Sequence, residues 1–353
     1  MDIELIDFAL PDELIAQSPM EKRDECRLLV VNREKKTIEH KKFHDILDYL
    51  HAGDVLVRNN TKVIPARLVG VKEDTQGKVE VLLLNQLEGD TWECLVGNAH
   101  SVKVGTVCSF GNGELTCTCV QVLPEGIRHM AFHYQGIFLE VLDHLGQMPL
   151  PPYIKKQCAN NDDYQTVYAK VPGSAAAPTA GFHFTEELFQ ALHRQGVEVV
   201  DITLNIGLGT FRPVKVQDTK DHIMHSETFT VSKEASDSLN KAKQEGRRII
   251  AIGTTSVRTL EAEFAKEGHF YPCEEEATAI FIQPGYTYKA VDALITNFHL
   301  PKSTLVMLVS AFMGRKWTLH CYEEAIKEKY RFFSFGDAMF IYGAYDYSHN
   351  LED

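Results

Sequence analysis

One stretch of the sequence constrains the fold most: an apolar run that ends at a glycine and continues into a helical pattern. Residues 247–252 predict a strand without polar alternation, and Gly253 and three hydroxyl residues lead from it into a helix that continues to Ala265. Because such a strand is apolar on both faces, it is typical of a sheet covered by helices on both sides. Strands and helices alternate from about residue 186 onwards, so we predict an α/β core.

Other elements of this core follow from local patterns. A helix is predicted at 186–194, because Thr185 can cap its amino end. The apolar run 305–313 predicts a buried helix, since it is shorter than the about 20 residues that a membrane-spanning helix needs. The remaining predicted elements are strands at 279–282, 293–296 and 338–342, and a helix at 322–329.

Between residues 64 and 145 the pattern changes to six short β-rich runs, separated by Gly, Asn, Asp or Pro. Evenly spaced short strands with turn residues between them are typical of a small antiparallel barrel or a sandwich. This region therefore looks like an insertion. We predict a discontinuous α/β domain of residues 1–63 and 149–353, with a β domain of residues 64–148 inserted into it.

The charge and cysteine content limit the class of protein. With 49 acidic and 36 basic residues the net charge is −13, which disfavours a protein that coats nucleic acid non-specifically but allows an enzyme that reads one RNA loop. The eight cysteines are scattered, without a Cys-x-x-Cys pair, as expected for reduced thiols. The acidic N-terminus lacks the basic-then-apolar order of a signal peptide, so we expect a cytoplasmic enzyme.

Three segments carry small or hydroxyl residues where a ligand could approach the backbone. Residues 173–185 place His183 between two aromatic residues, near Thr179; a tightly packed turn is the alternative. Residues 203–213 form a Gly-x-Gly turn that lacks the third glycine of a dinucleotide site. Residues 249–258 lead from a strand into a helix without the lysine of a Walker loop, which suits a carboxylate or a single phosphate.

Two further segments combine aromatic and polar residues, and a third contains two histidines. Residues 295–304 and 332–338 would suit a planar base held by stacking and edge hydrogen bonds, with hydrophobic packing as the alternative. His222 and His225 are three residues apart, with Glu227 as a third possible ligand. They lack the His-Glu-x-x-His pattern, so hydrogen bonding or acid–base chemistry is favoured over a metal site.

Taken together, these runs resemble one family, the S-adenosylmethionine:tRNA ribosyltransferase-isomerases of queuosine biosynthesis (the QueA family). The resemblance runs nearly end to end and is weakest in the β-rich insert. Two positions depart from the family's pattern: Asn205 stands where a histidine is expected, and Phe182 where a leucine is usual. Besides the five segments above, the matching runs are residues 10–17, Arg23-Asp24, residues 27–30, residues 53–57, Asn59-Asn60-Thr61-Lys62-Val63-Ile64-Pro65-Ala66-Arg67 and His225-Ser226-Glu227.

The resemblance implies an α/β main domain with an inserted antiparallel β-barrel. It also implies that the ribosyl part of S-adenosylmethionine moves to 7-aminomethyl-7-deazaguanine at the tRNA wobble position and is rearranged to epoxyqueuosine, while adenine and methionine leave. The expected partners are the tRNA anticodon loop that carries this base and S-adenosylmethionine, which serves as a substrate. No cofactor, metal or membrane is expected, and the enzyme is expected to be a monomer.

The chemistry of this reaction suggests roles for particular residues. A base must remove the proton next to the sulfonium, and His183 is the first candidate for proton transfer, with His225 and Glu227 as second candidates. The expected substrate-binding residues, with salt-bridge duty as the alternative for each arginine, are Arg23, Arg27, Arg67, Thr179, Asn205, Arg212, Thr254, Thr255, Ser256, Arg258, Asn297, Phe298, His299, Phe333 and Asp337. Phe332 and Phe335 are further candidates for stacking.

Two other classes of function remain open at this point. A metal-dependent hydrolase would use His222, His225 and Glu227. A non-catalytic RNA-binding module would bind tRNA without releasing adenine, although the acidic net charge is unusual for such a module.

Overall fold

The computed structural model describes residues 1–151, 153–155, 161–207, 214 and 216–349. The chain divides into two compact units. The sheet unit consists of Met1–Thr61, Pro152–Lys170 and Pro178–Asp353, and the barrel unit consists of Lys62–Pro151 and Val171–Ala177. A large mixed sheet and a closed antiparallel barrel are both present, which confirms the predicted fold class.

The strands are β1 (Arg27–Asn32), β2 (Thr37–Lys42), β3 (Val55–Asn59), β4 (Thr61–Val63), β5 (Arg67–Lys72), β6 (Lys78–Gln86), β7 (Thr91–Gly97), β8 (Val107–Phe110), β9 (Leu115–Val122), β10 (Ile127–His133), β11 (Val171–Ser174), β12 (Glu198–Asn205), β13 (Glu227–Val231), β14 (Ile249–Ile252), β15 (Cys273–Thr278), β16 (Ala293–Asn297) and β17 (Ala338–Tyr342). The α-helices are α1 (Phe138–Leu145), α2 (Glu186–Arg194), α3 (Lys233–Gln244), α4 (Gly253–Glu267), α5 (Thr304–Met313) and α6 (Arg315–Lys327).

The sheet unit contains a nine-stranded sheet in the order β15-β13-β12-β3-β14-β16-β17-β1-β2. Strands β12, β3, β14 and β16 are parallel, whereas β17 is antiparallel to β16 and parallel to β1. The carboxyl ends of four strands and the amino ends of β17 and β1 therefore meet at one edge, which we call the carboxyl edge. Ligands of α/β sheets bind at such edges. The residues gathered there are Asn205, Asn59, Gly253, Asn297, Asp337 and Cys26.

The burial of the core strands agrees with their apolar sequence. All four residues of β14 are buried, as expected for a strand covered on both faces. The predicted helix at 186–194 has the predicted bounds, and the Thr185 hydroxyl accepts a hydrogen bond from the Leu188 N–H at 3.2 Å.

Two predicted elements were wrong in position. Residues 279–282 are not in a strand; the strand is the polar segment Cys273–Thr278, which pairs with β13 at the end of the sheet. An edge strand needs less apolar surface than a central one, so hydropathy pointed to the wrong segment. Helix α6 begins at Arg315 rather than at residue 322, directly after Gly314, whose φ of +89° separates it from α5.

The barrel unit contains a closed six-stranded barrel in the order β10-β7-β6-β5-β8-β9. This observation decides between the barrel and the sandwich that the sequence left open. Alternate residues of β9 are buried, so Cys117 and Cys119 share the inner face, where Cys94 and Cys108 also lie. In the described part of the chain, no helix has the length and apolarity needed to cross a membrane.

Candidate active site

His183 is a buried histidine whose two ring nitrogens both have partners at the carboxyl edge. It ends a 3₁₀ turn, Thr179–His183, and is 3% exposed. Its Nε2 lies 2.6 Å from Asn297 Oδ1, at the end of β16, and its Nδ1 lies 3.2 Å from Cys26 Sγ, just before β1. The turn, β16 and the start of β1 therefore meet at this imidazole.

The neighbouring hydrogen bonds fix the tautomer of His183. Asn297 Nδ2 donates to Thr179 Oγ1 at 2.8 Å, so the Asn297 Oδ1 is the atom that faces His183 and accepts from its Nε2–H. Nδ1 then carries the lone pair, and the Cys26 thiol donates to it; burial raises the pKa of this thiol, so it stays protonated.

Burial lowers the pKa of His183 to about 4, although the bond to Asn297 and the charge of Asp337 act in the opposite direction. The imidazole is therefore neutral at pH 7. In this state His183 can accept a proton but cannot donate one as an imidazolium acid.

A small pocket opens beside His183. Its walls combine stacked aromatic rings with cations: the rings of Phe182 and Phe335 are 5.8 Å apart at 21°, and the Arg23 guanidinium lies 5.3 Å from the Phe182 ring. Arg23 Nη1 also donates to the carbonyl of Gln165 at 2.6 Å, so this arginine anchors the backbone near the pocket. The lining residues are Pro19, Met20, Arg23, Cys26, Phe182, His183, Arg331, Ser334, Phe335 and Gly336.

The amino end of α4 lies next to the His183 turn. A Cβ placed on Gly253, whose φ is +81°, would lie 3.3 Å from Ala180 Cβ, so the turn and the helix end are in close contact. Thr254, Thr255 and Ser256 are buried in the first turn of α4, and no side chain caps the helix. Among the described residues, the hydroxyls of Thr255 and Ser256 have no hydrogen-bond partner. This helix end therefore has unused donors as well as a positive dipole.

Arg258 and Glu227 form a buried ion pair instead of two independent functional groups. Arg258 Nη1 contacts Glu227 Oε2, and its Nη2 donates to the His225 carbonyl at 3.2 Å. Both side chains are at least 95% buried. Because Glu227 accepts from a guanidinium, it is a poor candidate for a general base in this arrangement. His225 is exposed.

The structure does not bring His222, His225 and Glu227 together as metal ligands. The group with suitable ligand spacing in the described part of the chain is Glu263, Cys273 and Glu276. The ammonium of Lys266 already lies between both carboxylates, 2.6 Å from Glu263 Oε2 and in contact with Glu276.

The aromatic residues predicted to stack a base differ in their positions. Phe298 and Phe332 are fully buried, and their ring centroids lie 5.0 Å apart in a cluster with Tyr322 and Tyr330. This geometry leaves them no face for a base. Phe333, at a strained φ of +71°, stacks on Tyr153 at 4.5 Å.

His299 and Asp337 have structural partners at the carboxyl edge. His299 Nε2 lies 2.8 Å from Thr296 Oγ1, and burial lowers its pKa to about 3. Asp337 accepts from the backbone N–H groups of Arg27, at 2.8 Å, and Arg331, at 2.7 Å. These bonds hold the start of β1 beside the start of β17.

Three predicted substrate-binding residues have other partners. Arg27 lies over the Tyr330 ring at 3.8 Å. Asn205 Oδ1 accepts from the Thr61 hydroxyl at 2.9 Å. Arg67 belongs to the barrel unit, where it forms two hydrogen bonds with Glu80, at 2.8 and 2.9 Å. Arg212 lies outside the described residues.

Sequence reasoning missed Cys26, Arg331 and Ser334 as pocket residues. Cys26 lies between two runs that match the family, Arg23-Asp24 and residues 27–30, and a single buried cysteine has no spacing pattern that would mark it. Ser334 lies between two phenylalanines that were predicted to stack, so its place in that segment was an available signal.

Comparisons with known proteins identify the family of this chain. Residues 3–341 match the family described as queuosine biosynthesis protein. The chain is also similar to the crystal structure of an S-adenosylmethionine tRNA ribosyltransferase from Thermotoga maritima, with 37% sequence identity over 96% of this chain and 99% of that one, and a TM-score of 0.54. The match spans both the sheet and the barrel. The chain therefore belongs to the queuosine biosynthesis protein family.

Proposed function

We propose that this protein is an S-adenosylmethionine:tRNA ribosyltransferase-isomerase. It transfers the ribosyl group of S-adenosylmethionine to 7-aminomethyl-7-deazaguanine at the tRNA wobble position and isomerises it to epoxyqueuosine. The observation that carries the proposal is the juxtaposition of a buried neutral histidine, His183, with an uncapped helix end that has two unpartnered hydroxyls. Membership of the queuosine biosynthesis family supports the same reaction.

The reaction needs a base that is unprotonated before it acts. The sulfonium of S-adenosylmethionine acidifies the adjacent 5′ carbon, and a neutral imidazole can remove that proton. The neutral state of His183 at pH 7 and the lone pair on its Nδ1 support this role. Methionine leaves as a neutral thioether and needs no acid, so the proposal invokes neither a metal nor a cofactor.

The donor's methionine carboxylate would bind at the amino end of α4. Backbone N–H groups, the helix dipole and the hydroxyls of Thr255 and Ser256 all favour an anion there. Thr254, buried in the same turn, would complete this cradle. Phe182 and Phe335, which line the small pocket beside His183, would mark the side of the site that the adenosyl group approaches.

The RNA would approach the carboxyl edge, where cationic side chains surround the small pocket. Arg23 and Arg331 line that pocket, and Arg27 lies at the start of β1. A local cationic rim on a chain of net charge −13 suits recognition of one loop instead of general coating of nucleic acid. A tRNA substrate would place the protein in the cytoplasm.

Reconstitution tests the proposal directly. The purified protein is incubated with S-adenosylmethionine and tRNA that carries 7-aminomethyl-7-deazaguanine, and adenine, methionine and the mass of the RNA are followed together. We expect equal amounts of adenine and methionine and a matching mass gain on the RNA; the matched control is the same tRNA with guanine at the wobble position. If the protein binds the modified RNA but releases neither adenine nor methionine, it is an RNA-binding module and not this enzyme.

A further inference from the structure

Cys26 and His183 contact each other through side chains that both line the pocket. We infer that Cys26 is a positioning residue for His183. Its thiol donates to Nδ1 and holds the imidazole as the Nε2–H tautomer, in which the basic nitrogen, Nδ1, faces Cys26 in the lining of the pocket. This inference rests on the proposed function, because it assigns Cys26 a task within the same site. The thiol itself neither gains nor loses a proton in the reaction.

One chain of hydrogen bonds through His183 has a single direction. It runs from the Cys26 thiol through His183 and the Asn297 amide to the Thr179 hydroxyl, with heavy-atom distances of 3.2, 2.6 and 2.8 Å. Reversing the imidazole tautomer would set Nε2, without a hydrogen, against a carbonyl oxygen that cannot donate. The Asn297–Thr179 bond and the thiol therefore favour the same tautomer from opposite ends of the ring.

Cys26 is held in a fixed position. Its side chain is 2% exposed, and its carbonyl accepts from the Phe43 N–H at 2.9 Å. The next residue, Arg27, donates its N–H to the buried Asp337. The Phe43 ring also packs against the His183 ring, with centroids 5.1 Å apart. The backbone on both sides of the thiol is thus fixed, and the thiol can define where Nδ1 points.

Proton removal requires a lone pair on the imidazole, and in this tautomer the lone pair is on Nδ1. In the proton transfer the Cys26 side chain stays in place, the thiol hydrogen turns away from Nδ1 about the Cβ–Sγ bond, and Nδ1 takes the substrate proton: the C–H bond breaks, the N–H bond forms, and the electron pair stays on the carbon beside the sulfonium. A hydrogen bond donated to Nδ1 stabilises the neutral ring, so it keeps the base unprotonated until that moment. The charged groups that act on His183 and Cys26 are Asp337, Arg331, Arg23, Asp24 and Lys42.

The test compares Cys26→Ala with Cys26→Ser, in which a hydroxyl can still donate to Nδ1. The matched control is Cys321→Ala, a buried cysteine of α6 that does not line the pocket. Nitrogen-15 NMR of histidine-labelled protein reports which ring nitrogen carries the hydrogen, and His183→Gln identifies the signal. We expect an unprotonated Nδ1 in the unaltered protein and in Cys26→Ser, and a mixture of tautomers in Cys26→Ala.

Kinetics supplies the second readout. Loss of one such hydrogen bond should lower kcat about tenfold in Cys26→Ala, with most of the activity restored in Cys26→Ser. The acidic limb of the kcat profile should move to higher pH in Cys26→Ala, because the neutral imidazole loses its stabilising donor and its pKa rises; a merely structural thiol would not move that limb.

The possible outcomes separate the two proposals. An unaltered protein that releases no adenine overturns the proposed function, whatever the NMR spectrum shows. An active protein with a protonated Nδ1, or with Cys26→Ala and Cys26→Ser equally impaired, overturns only the positioning role of Cys26.

Discussion

Two neighbouring regions of the carboxyl edge differ in the hydrogen bonding of their buried polar groups. The partnered side is formed by Cys26, His183, Asn297 and Thr179. Here both ring nitrogens of His183 and the side-chain amide of Asn297 have hydrogen-bond partners. On the unpartnered side, formed by the first turn of α4, the hydroxyls of Thr255 and Ser256 have none among the described residues. The two sides adjoin where Ala180 packs against Gly253.

The difference suggests a division of labour. A buried hydroxyl without a partner costs about 1–3 kcal/mol, so retaining two in one helical turn makes sense where a ligand completes them. A chain of partnered groups instead fixes orientation before any ligand arrives. We infer that the unpartnered side binds the donor and that the partnered side carries out the proton transfer. Four predictions test this contrast.

The largest effect should come from removing the carboxylate partner of Arg258, a buried residue of α4. Glu227→Gln leaves the buried Arg258 guanidinium without its carboxylate, and we expect a loss of about 3–5 kcal/mol in the free energy of unfolding. Guanidinium chloride titration measures this loss. Asp237→Asn, which breaks the exposed Lys233–Asp237 pair, is the control and should change stability by less than about 1 kcal/mol. Similar small losses in both variants would show that the Arg258–Glu227 pair contributes little to the free energy of unfolding.

His183→Ala should lower the rate of adenine release about a hundredfold or more, since it removes the base. Because His183 is not on the unpartnered side, the dissociation constant for S-adenosylmethionine should stay within about twofold of the unaltered protein's. Rapid-quench kinetics and calorimetry measure the two quantities. Unchanged turnover would remove His183 from the chemistry.

Acidification should destabilise the partnered side. The pKa of folded His183 is about 4 and that of an unfolded histidine is about 6.5, so the unfolded chain binds more protons between these values. Stability is therefore fully present above pH 6.5 and is lost as the pH falls toward 4. From pH 7 to 5 we expect a loss on the order of 2 kcal/mol from His183 alone.

Denaturant titrations at both pH values check this loss. His183→Gln should reduce the difference between them, whereas the exposed His225, replaced by Gln, should leave it unchanged. An equal difference in all three proteins would contradict a neutral His183.

The smallest effect should come from the unpartnered side. Thr255→Ala and Ser256→Ala each remove a hydroxyl that has no partner without the donor, so the free energy of unfolding should stay constant or rise slightly. The dissociation constant for S-adenosylmethionine should rise about fivefold to tenfold. A lower free energy of unfolding with an unchanged dissociation constant would show that these hydroxyls stabilise the fold and do not bind the donor.

The sequence predicted elements well where local pattern decides the structure. β14 and the first turn of α4 follow from an apolar run and a glycine, and the helix capped by Thr185 has its predicted bounds. The polar edge strand β15 was missed, because pairing with β13 stabilises it more than apolar burial does.

Partners distant in sequence could not be predicted. His183 was singled out by its aromatic neighbours, but Cys26 is 157 residues away and Asn297 is 114 residues away, so only the folded sheet brings them together. The same holds for Glu227, which looked like a base until its contact with Arg258 was visible. Phe298 looked suitable for stacking a base, yet it packs in the core, because local sequence does not say which face of an aromatic is covered.

The most direct test of the division of labour is the rate of adenine release in a single turnover at saturating S-adenosylmethionine and modified tRNA. The comparison is between His183→Ala and the double variant Thr255→Ala/Ser256→Ala. We predict that saturation restores the double variant to the unaltered rate, while His183→Ala remains about a hundredfold slower. Recovery of His183→Ala to the full rate, or a double variant that stays equally slow, would contradict the assignment of binding and chemistry to the two sides.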